Sequence, residues 1–198
     1  MDTDKILYKI VGSPVGEFIA GATSKGCCVF EFHDRGGLDR ITARVEKRYG
    51  MAMSPGSSSF VDQLESQVRE YFDGKRTQFS LPLDLKGTRF EMAVWEQLLR
   101  IPYGETRAYG ELATFLGKPG AARAVGRANG ANYLAIVVPC HRVIQEDGQL
   151  RGYGGGLWRK KYLLDLEKST MHETESVSTK VKKSTTLTAF PLYSLQVD

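Results

Sequence analysis

Pro139-Cys140-His141-Arg142 sets a thiol, an imidazole and a guanidinium in consecutive positions. The preceding Ala135-Ile136-Val137-Val138 is short, apolar and mostly β-branched, which predicts a buried strand. Pro139 cannot donate to a ladder and so belongs at the strand's end. A thiol beside two cationic side chains at a strand end is where a lowered thiol pKa is expected, and the thiolate is the nucleophile. A small buried cysteine that happens to precede a basic pair reads equally well from these four residues. The flanks decide between the two.

Other residue groups with chemical potential are weaker. Cys27, Cys28 and His33 could be metal ligands, but a tetrahedral site needs a fourth ligand and usually a wider spacing. Core cysteines are the reading preferred here, and nothing in residues 1–80 assembles a site. Gly148 to Gly156 carries several glycines around Tyr153 without phosphate-loop spacing. It suggests a closely approached loop, with Tyr153 as a wall for a flat ligand. Glu167 falls near the end of a helix, where a carboxylate opposes the helix dipole. It therefore faces solvent or has a specific partner.

The elements that must position these groups fall into an α+β arrangement of two domains. Residues 6–11, 17–22 and 26–32 predict a small antiparallel sheet. Helices are expected over 39–49 and 60–72, with a loop over 51–59. Residues 81–87 carry Pro and Gly punctuation and predict a linker, so the N-terminal domain spans 1–80. Thr88 and Glu91 form a capping box that starts the second domain, 88–168. Short helices over 109–116 and 121–129, joined by Lys118-Pro119-Gly120, form a helix-turn-helix. The second of these is nearly bare, with Ala122, Ala124 and Gly126 between Arg123 and Arg127. So bare a surface admits close approach by a neighbouring helix or by the sugar-phosphate wall of a DNA groove. A closing helix over 157–168 should turn Trp158, Tyr162, Leu163 and Leu166 inward. Residues 169–198 change to a Ser/Thr/Lys-rich composition and predict a mostly disordered tail.

Bulk properties bound the function. The 198 residues are 41% apolar and 25% charged, ordinary for a soluble globular chain. Three cysteines make no disulfide framework, and a reducing compartment is the default. No apolar run reaches membrane-spanning length. The net charge of +4 lies beyond residue 83, which suits a polyanion partner without requiring one.

Taken together, these motifs resemble the O6-alkylguanine-DNA alkyltransferases, closest to the bacterial form. The resemblance is carried by Pro139-Cys140-His141-Arg142-Val143, by Gly87-Thr88-Arg89-Phe90 and Val94-Trp95, and by Tyr109-Gly110-Glu111-Leu112-Ala113. It continues through Ala121-Ala122-Arg123-Ala124-Val125-Gly126, Asn129-Gly130-Ala131-Asn132, Gly152-Tyr153 and Leu163-Leu164. It implies a ribonuclease-H-like N-terminal α/β domain and a mainly helical, winged-helix-like C-terminal domain. It also implies direct reversal of DNA damage: an alkyl group passes from O6-alkylguanine, and less readily O4-alkylthymine, to Cys140, once per chain. The implied partner is alkylated double-stranded DNA, bound through the minor groove by an intracellular monomer (cytoplasmic in a bacterium, nuclear in a eukaryote). No cofactor, metal or membrane is implied.

Roles follow by motif position. Arg123 fills the place of a flipped base, on a recognition helix whose surface includes Ala122, Ala124, Gly126 and Arg127. Tyr109 crowds the 3′ phosphate and protonates the leaving guanine. His141 acts on the thiol through a water, and Glu167 orients His141. Asn132 braces the turn before the cysteine, and Val143, Tyr153 and Gly154 line or support the guanine pocket. Three positions depart from the family pattern. Tyr133 stands where proline is usual, predicting a less rigid turn. Gly154 stands where many members have Ser or Ala, removing a hydroxyl contact, and Ala108 leaves its helix weakly capped. Two rival readings are a lesion binder without transfer, disfavoured by the presence of Cys140, and a cysteine hydrolase. The latter normally brings Cys and His together from separate elements.

Overall fold

Along Phe18-Ile19-Ala20, alternate side chains serve two different hydrophobic clusters, the period-two signature of a sheet covered on both faces. A computed structural model describes residues 5–184, with side chains described through Met171. The N-terminal lobe runs β1 (Lys5–Val11), β2 (Phe18–Thr23), β3 (Gly26–Phe32), α1 (Gly37–Tyr49), β4 (Ala52–Pro55) and α2 (Ser59–Phe72). The sheet order is β3-β2-β1-β4. The first three strands are antiparallel as expected, but β4 joins β1 in parallel, so the sheet is mixed. β4 falls in the stretch expected to be only a loop; its Ser and Pro mask a short edge strand. Helix α2 packs Val61, Leu64, Val68 and Tyr71 on one face with Phe18 and Phe30. Helix α1 packs Ile41 and Val45 on the other with Ile6, Ile19 and Val29. Cys27 and Cys28 point to opposite faces, both buried.

The second lobe contains α3 (Arg89–Leu99), β5 (Arg107–Ala108), α4 (Tyr109–Phe115), α5 (Ala122–Gly130), β6 (Val143–Ile144) and α6 (Leu157–Ser184). The capping box at Thr88 and Glu91 is present. Ala108 gives α4 no side-chain cap, and only the Glu111 carboxylate closes its first turn by accepting from Ala108 N. Gly117, at φ 67°, ends α4 and lets Lys118 N reach Ala113 O at 2.9 Å. β5 and β6 pair in parallel.

Both the linker and the segment before Cys140 attach to the edge of β3. Cys27 N donates to Pro82 O at 2.8 Å and Asp84 N to Cys27 O at 2.9 Å. A Cβ at Gly26 would lie 2.4 Å from Pro82 O, so only glycine admits this approach. Further along, Phe30 N donates to Tyr133 O at 2.7 Å and Ala135 N to Phe30 O at 2.8 Å. The open sheet edge is thereby covered, and the cysteine segment is anchored to the N-terminal lobe. One continuous core then joins α2, β3, α3, α4, α5 and α6.

Two expectations about elements are corrected. α6 does not stop at Lys168 but continues to Ser184, so the residues after 168 begin helical; residues 185–198 of the expected tail lie outside the described residues. The inward face of α6 also differs. Trp158 is 58% and Tyr162 38% exposed, whereas Lys160, Leu163, Leu164 and Glu167 are buried. Charged side chains occupy places that apolar periodicity assigned to aromatics.

Candidate active site

The segment before the cysteine is buried as expected but is not a strand. Only Leu134 makes a bridge, to Phe30. After it, Val137 N donates to Ala135 O and Val138 N to Leu134 O, both at 2.8 Å, and Ile136 adopts φ 70°. That value is an outlier for a β-branched residue. The chain therefore coils tightly, and Cys140 opens a single 3₁₀ turn through Arg142.

Asn132 holds this coil from inside. Its Oδ1 accepts from Leu134 N at 2.9 Å, and its Nδ2 donates to Val138 O at 2.8 Å and to Cys140 Sγ at 3.1 Å. Asn129 Nδ2 donates to Cys140 O at 3.2 Å. The turn is not loosened by Tyr133. Its ring is buried, with the Arg48 guanidinium 4.1 Å from its centroid and Arg44 at 5.1 Å.

His141 turns away from Cys140 into a fully buried polar cluster. Its Nε2 lies 2.8 Å from Glu167 Oε1. Arg142 binds the same carboxylate through Nε and Nη2, each at 2.9 Å from one oxygen, and Gly104 N donates to Oε2 at 3.0 Å. The Tyr71 hydroxyl donates to Oε1 at 2.8 Å. Burial opposes ionisation of Glu167. The hydrogen bond and electrostatic pull of His141, followed by those of Arg142, outweigh it and push the carboxyl down to about 2. For His141 burial prevails. Burial lowers its pKa below the usual imidazole value despite Glu167, and the Arg142 charge adds to this. The ring is therefore neutral, with Nε2–H toward the carboxylate. Nδ1 is left as a buried acceptor with no protein partner among the described residues.

The expected lowering of the thiol pKa is corrected. Burial raises the Cys140 pKa, while the Asn132 hydrogen bond and the Arg35 and Lys160 charges oppose that rise. The two neighbours in sequence do not supply the anticipated cations: His141 is neutral and Arg142 is committed to Glu167. Lys160 is the nearby cation instead. Its side chain is fully buried, with Nζ donating to Val143 O at 2.6 Å and Arg151 O at 3.1 Å. Burial pushes its pKa down to about 8.

The structure brings the remaining expected residues to two surfaces on either side of Gly152. Tyr109, Ala122, Arg123, Gly126 and Arg127 line one open groove with Arg151. Arg123 and Arg127 are exposed and Ala124 is half-buried along α5. The Tyr109 hydroxyl sits 3.4 Å from Gly152 O. On the other side Cys140, Asn132, Tyr153 and Gly154 line a small cavity, with Val143 buried behind it. Glu31 and Arg35 complete its wall. These two, together with Tyr71, overturn the expectation that residues 1–80 contribute nothing to a site. No local pattern marks them, because each reaches the site only through tertiary packing. Arg142 and Asn129 lay inside the quoted motifs and were legible there as polar groups without an assigned task.

The chain matches two family models: residues 6–85 the ribonuclease-like domain of 6-O-methylguanine DNA methyltransferase, and residues 89–169 its DNA binding domain. It is 60% identical over 116 residues to the methylated-DNA--protein-cysteine methyltransferase of Mycobacterium tuberculosis strain H37Rv, covering 58% of this chain and 68% of that one. It is 41% identical over 164 residues to the Methanosarcina barkeri protein of the same name, covering 83% and 98%. The crystal structure of the M. tuberculosis O6-methylguanine methyltransferase superposes with a TM-score of 0.71 at 43% identity, covering 83% of this chain and 94% of that one. The structure of that organism's protein in complex with DNA gives the same TM-score.

Proposed function

The chain belongs to the 6-O-methylguanine DNA methyltransferase family, and on that premise we propose that Cys140 is the acceptor of the alkyl group it removes from DNA. The protein is a DNA-repair methyltransferase that binds DNA and transfers alkyl groups from it to a protein cysteine. The substrate position is O6 of an alkylated guanine in duplex DNA, with O4-alkylthymine a poorer substrate. The observation that carries the assignment is Cys140, held by Asn132 in a cavity walled by Tyr153 and Gly154, with the buried His141–Glu167–Arg142 cluster directly following it in the chain.

In this reading α5 lies in the minor groove. Ala122, Ala124 and Gly126 let the backbone approach, and Arg127 meets phosphate. Arg123 occupies the stack vacated by the flipped guanine, and Tyr109 crowds the 3′ phosphate. Cys140 Sγ attacks the alkyl carbon in line. The S–C bond forms as the C–O6 bond breaks, and the bonding pair leaves on the guanine. The thiol proton passes through a water to His141 Nδ1, and Glu167 with its fixed negative charge steadies the imidazolium. Tyr109 hands a proton to the leaving base. The raised thiol pKa in the free chain keeps the nucleophile protected until the base is in place. The resulting thioether has no good leaving group, so each chain reacts once.

The boundaries that suit this reading are an N-terminal domain 1–80, a linker 81–87 and an acceptor domain 88–168. The protein acts as a monomer inside the cell, where its DNA is. Among the described residues, no helix is long and apolar enough to cross a membrane. The test is incubation with duplex DNA carrying radiolabelled O6-methylguanine, followed by mass spectrometry of the Cys140 peptide. Label on Cys140 is expected. Tight binding with no transfer would instead make the chain a lesion marker.

A further inference from the structure

The cavity that holds Cys140 is narrow. Its free volume is about 20 Å³, room for a single water and far too little for a purine. Part of its wall comes from the N-terminal lobe. Arg35 stands after β3 with Nη1 at 3.1 and 3.2 Å from the two oxygens of Glu31, and its Nη2 donates to Gly130 O at 2.9 Å. Gly130 is the last residue of α5, the helix placed against DNA in the reading above. The guanidinium therefore spans from the sheet of one lobe to the end of the recognition helix in the other.

It also lies flat on the glycine loop. A Cβ at Gly154 would come within 2.4 Å of Arg35 Cζ and 2.7 Å of both Nη atoms. Serine or alanine at that position, expected from the family pattern, would evict the guanidinium from its seat. Gly154 and Arg35 thus form a matched pair. Gly154 itself has no left-handed backbone angle, so its lack of a side chain is required by this neighbour and not by its conformation.

Release of Arg35 would not orphan its partner. Glu31 has only 2% of its side chain exposed, yet Arg44 Nη2 holds Oε2 at 3.0 Å independently. A buried carboxylate that keeps one cation when the other leaves can tolerate an open state. Arg35 keeps 27% of its side chain exposed and has solvent to move into.

We infer that Arg35 is a specificity-determining latch: seated on Glu31, Gly130 and Gly154 it closes the base pocket over Cys140, and a base enters only after it swings out. The inference rests on the alkyl-transfer reading above. Arg35 touches the pocket and not the reacting atoms, so its chief effect is on how readily a base enters; its charge beside the thiol is a separate, favourable influence on attack. If the open fraction of free protein is small, apparent affinity is reduced by that fraction.

The test uses the full chain and free O6-benzylguanine, which needs no DNA and no base flipping. Rate constants are measured against concentration, with benzylation of Cys140 read by mass spectrometry. In Arg35→Ala the half-saturation concentration should fall roughly three- to tenfold, as expected for removal of a pre-equilibrium, while loss of the Arg35 charge near the thiol leaves the limiting rate constant no higher than wild type. Gly154→Ala should lower it as well, since the methyl displaces Arg35 while leaving it in the chain; this variant serves if Arg35→Ala melts early. An unchanged or raised half-saturation concentration in a folded Arg35→Ala protein overturns the latch. Failure of the wild-type protein to become benzylated or methylated at all would instead defeat the alkyl-transfer reading, and the two failures are distinct.

Discussion

The Tyr71 hydroxyl donates to Glu167 Oε1 at 2.8 Å, and the two residues stand in different lobes, on α2 and α6. Both side chains are fully buried. The N-terminal lobe thus touches the polar cluster behind Cys140 as well as the cavity in front of it. Tyr71 shares Oε1 with His141 Nε2, so it draws electron density from the oxygen that orients the imidazole.

Tyr71→Phe should therefore act on titration as well as on stability. With one donor lost, Glu167 binds His141 more strongly, and the His141 pKa rises toward its ordinary value. The acid limb of the alkylation rate against pH should move to higher pH, while affinity for unmodified duplex stays the same. Stability should drop by about 1.5–3 kcal/mol, the usual range for a hydrogen bond to a charged group. Urea unfolding gives the second quantity. A rate profile that keeps its acid limb would remove Tyr71 from the relay.

Glu167→Gln should be harsher. It leaves the Arg142 guanidinium, 7% exposed, without its counter-ion. Breaking a buried pair from one side costs about 3–5 kcal/mol. The alkylation rate should fall, because neutral Gln cannot steady a protonated His141, whereas DNA affinity should remain close to wild type. The distinguishing measurement is single-turnover transfer at saturating DNA below the melting range. A wild-type rate there would place Glu167 in the fold alone.

The same cluster sets a pH window for stability. Glu167 has a folded pKa of about 2, below its unfolded value. The folded state thus binds fewer protons, and this stabilisation is present above the unfolded carboxyl pKa of about 4.3 and lost as pH falls toward 2. His141 is also depressed when folded. Its contribution is complete above the unfolded imidazole pKa of about 6.5 and erodes below it. Both slopes have the same sign, so stability should decline in two stages on acidification. Urea midpoints from pH 8 to pH 3 would show it; a flat profile down to pH 4 would contradict the neutral assignment of His141.

How far the sequence carried can be argued from particular residues. Motif residues near one another in the chain, Asn132 to Arg142, were legible because a short coil brings them together. The amphipathic helices and the Thr88 capping box were legible because their signals are local. The cysteine segment was misread because β-branched burial does not specify a strand; the coil around Ile136 satisfies its backbone by short-range bonds instead. The inward face of α6 was misread because Lys160 and Glu167 are buried by partners from β6, the 3₁₀ turn and α2. Nothing along α6 announces those partners. Glu31, Arg35 and Tyr71 were invisible for the same reason, since the bonds that tie this group to the site, Arg35 to Gly130 and Tyr71 to Glu167, bridge separations no periodicity records.

Arg123→Ala should separate base flipping from chemistry. The side chain is exposed on α5 and lines the groove with Tyr109, on the other side of Gly152 from Cys140. Repair of O6-methylguanine in duplex should fall at least roughly tenfold, on the scale of the few kcal/mol that unstacking a base requires. Reaction with free O6-benzylguanine should be almost unchanged. Equal losses on the two substrates would sink the assignment of Arg123 to the vacated stack.

Stoichiometry is the sharpest consequence of the site. In the proposed reading Cys140 is both nucleophile and final acceptor, and a thioether offers neither a good leaving group nor a group that His141 could activate. Cys27 and Cys28, the other thiols, are buried on the N-terminal sheet, where burial pushes Cys27 up to about 11 and Cys28 higher still. Neither can relieve Cys140 of its alkyl group. Excess alkylated duplex titrated with wild-type protein should therefore yield a plateau near one alkyl per chain. Cys140→Ser should bind the same duplex and transfer nothing, because a hydroxyl is far less acidic and a poorer nucleophile toward carbon. The Asn132 amide that now donates to Sγ can donate to a hydroxyl oxygen, so the coil should keep its shape and the variant should hold the lesion as a stable complex. Continued turnover by the wild-type chain would make Cys140 only an intermediate carrier and would require a second acceptor.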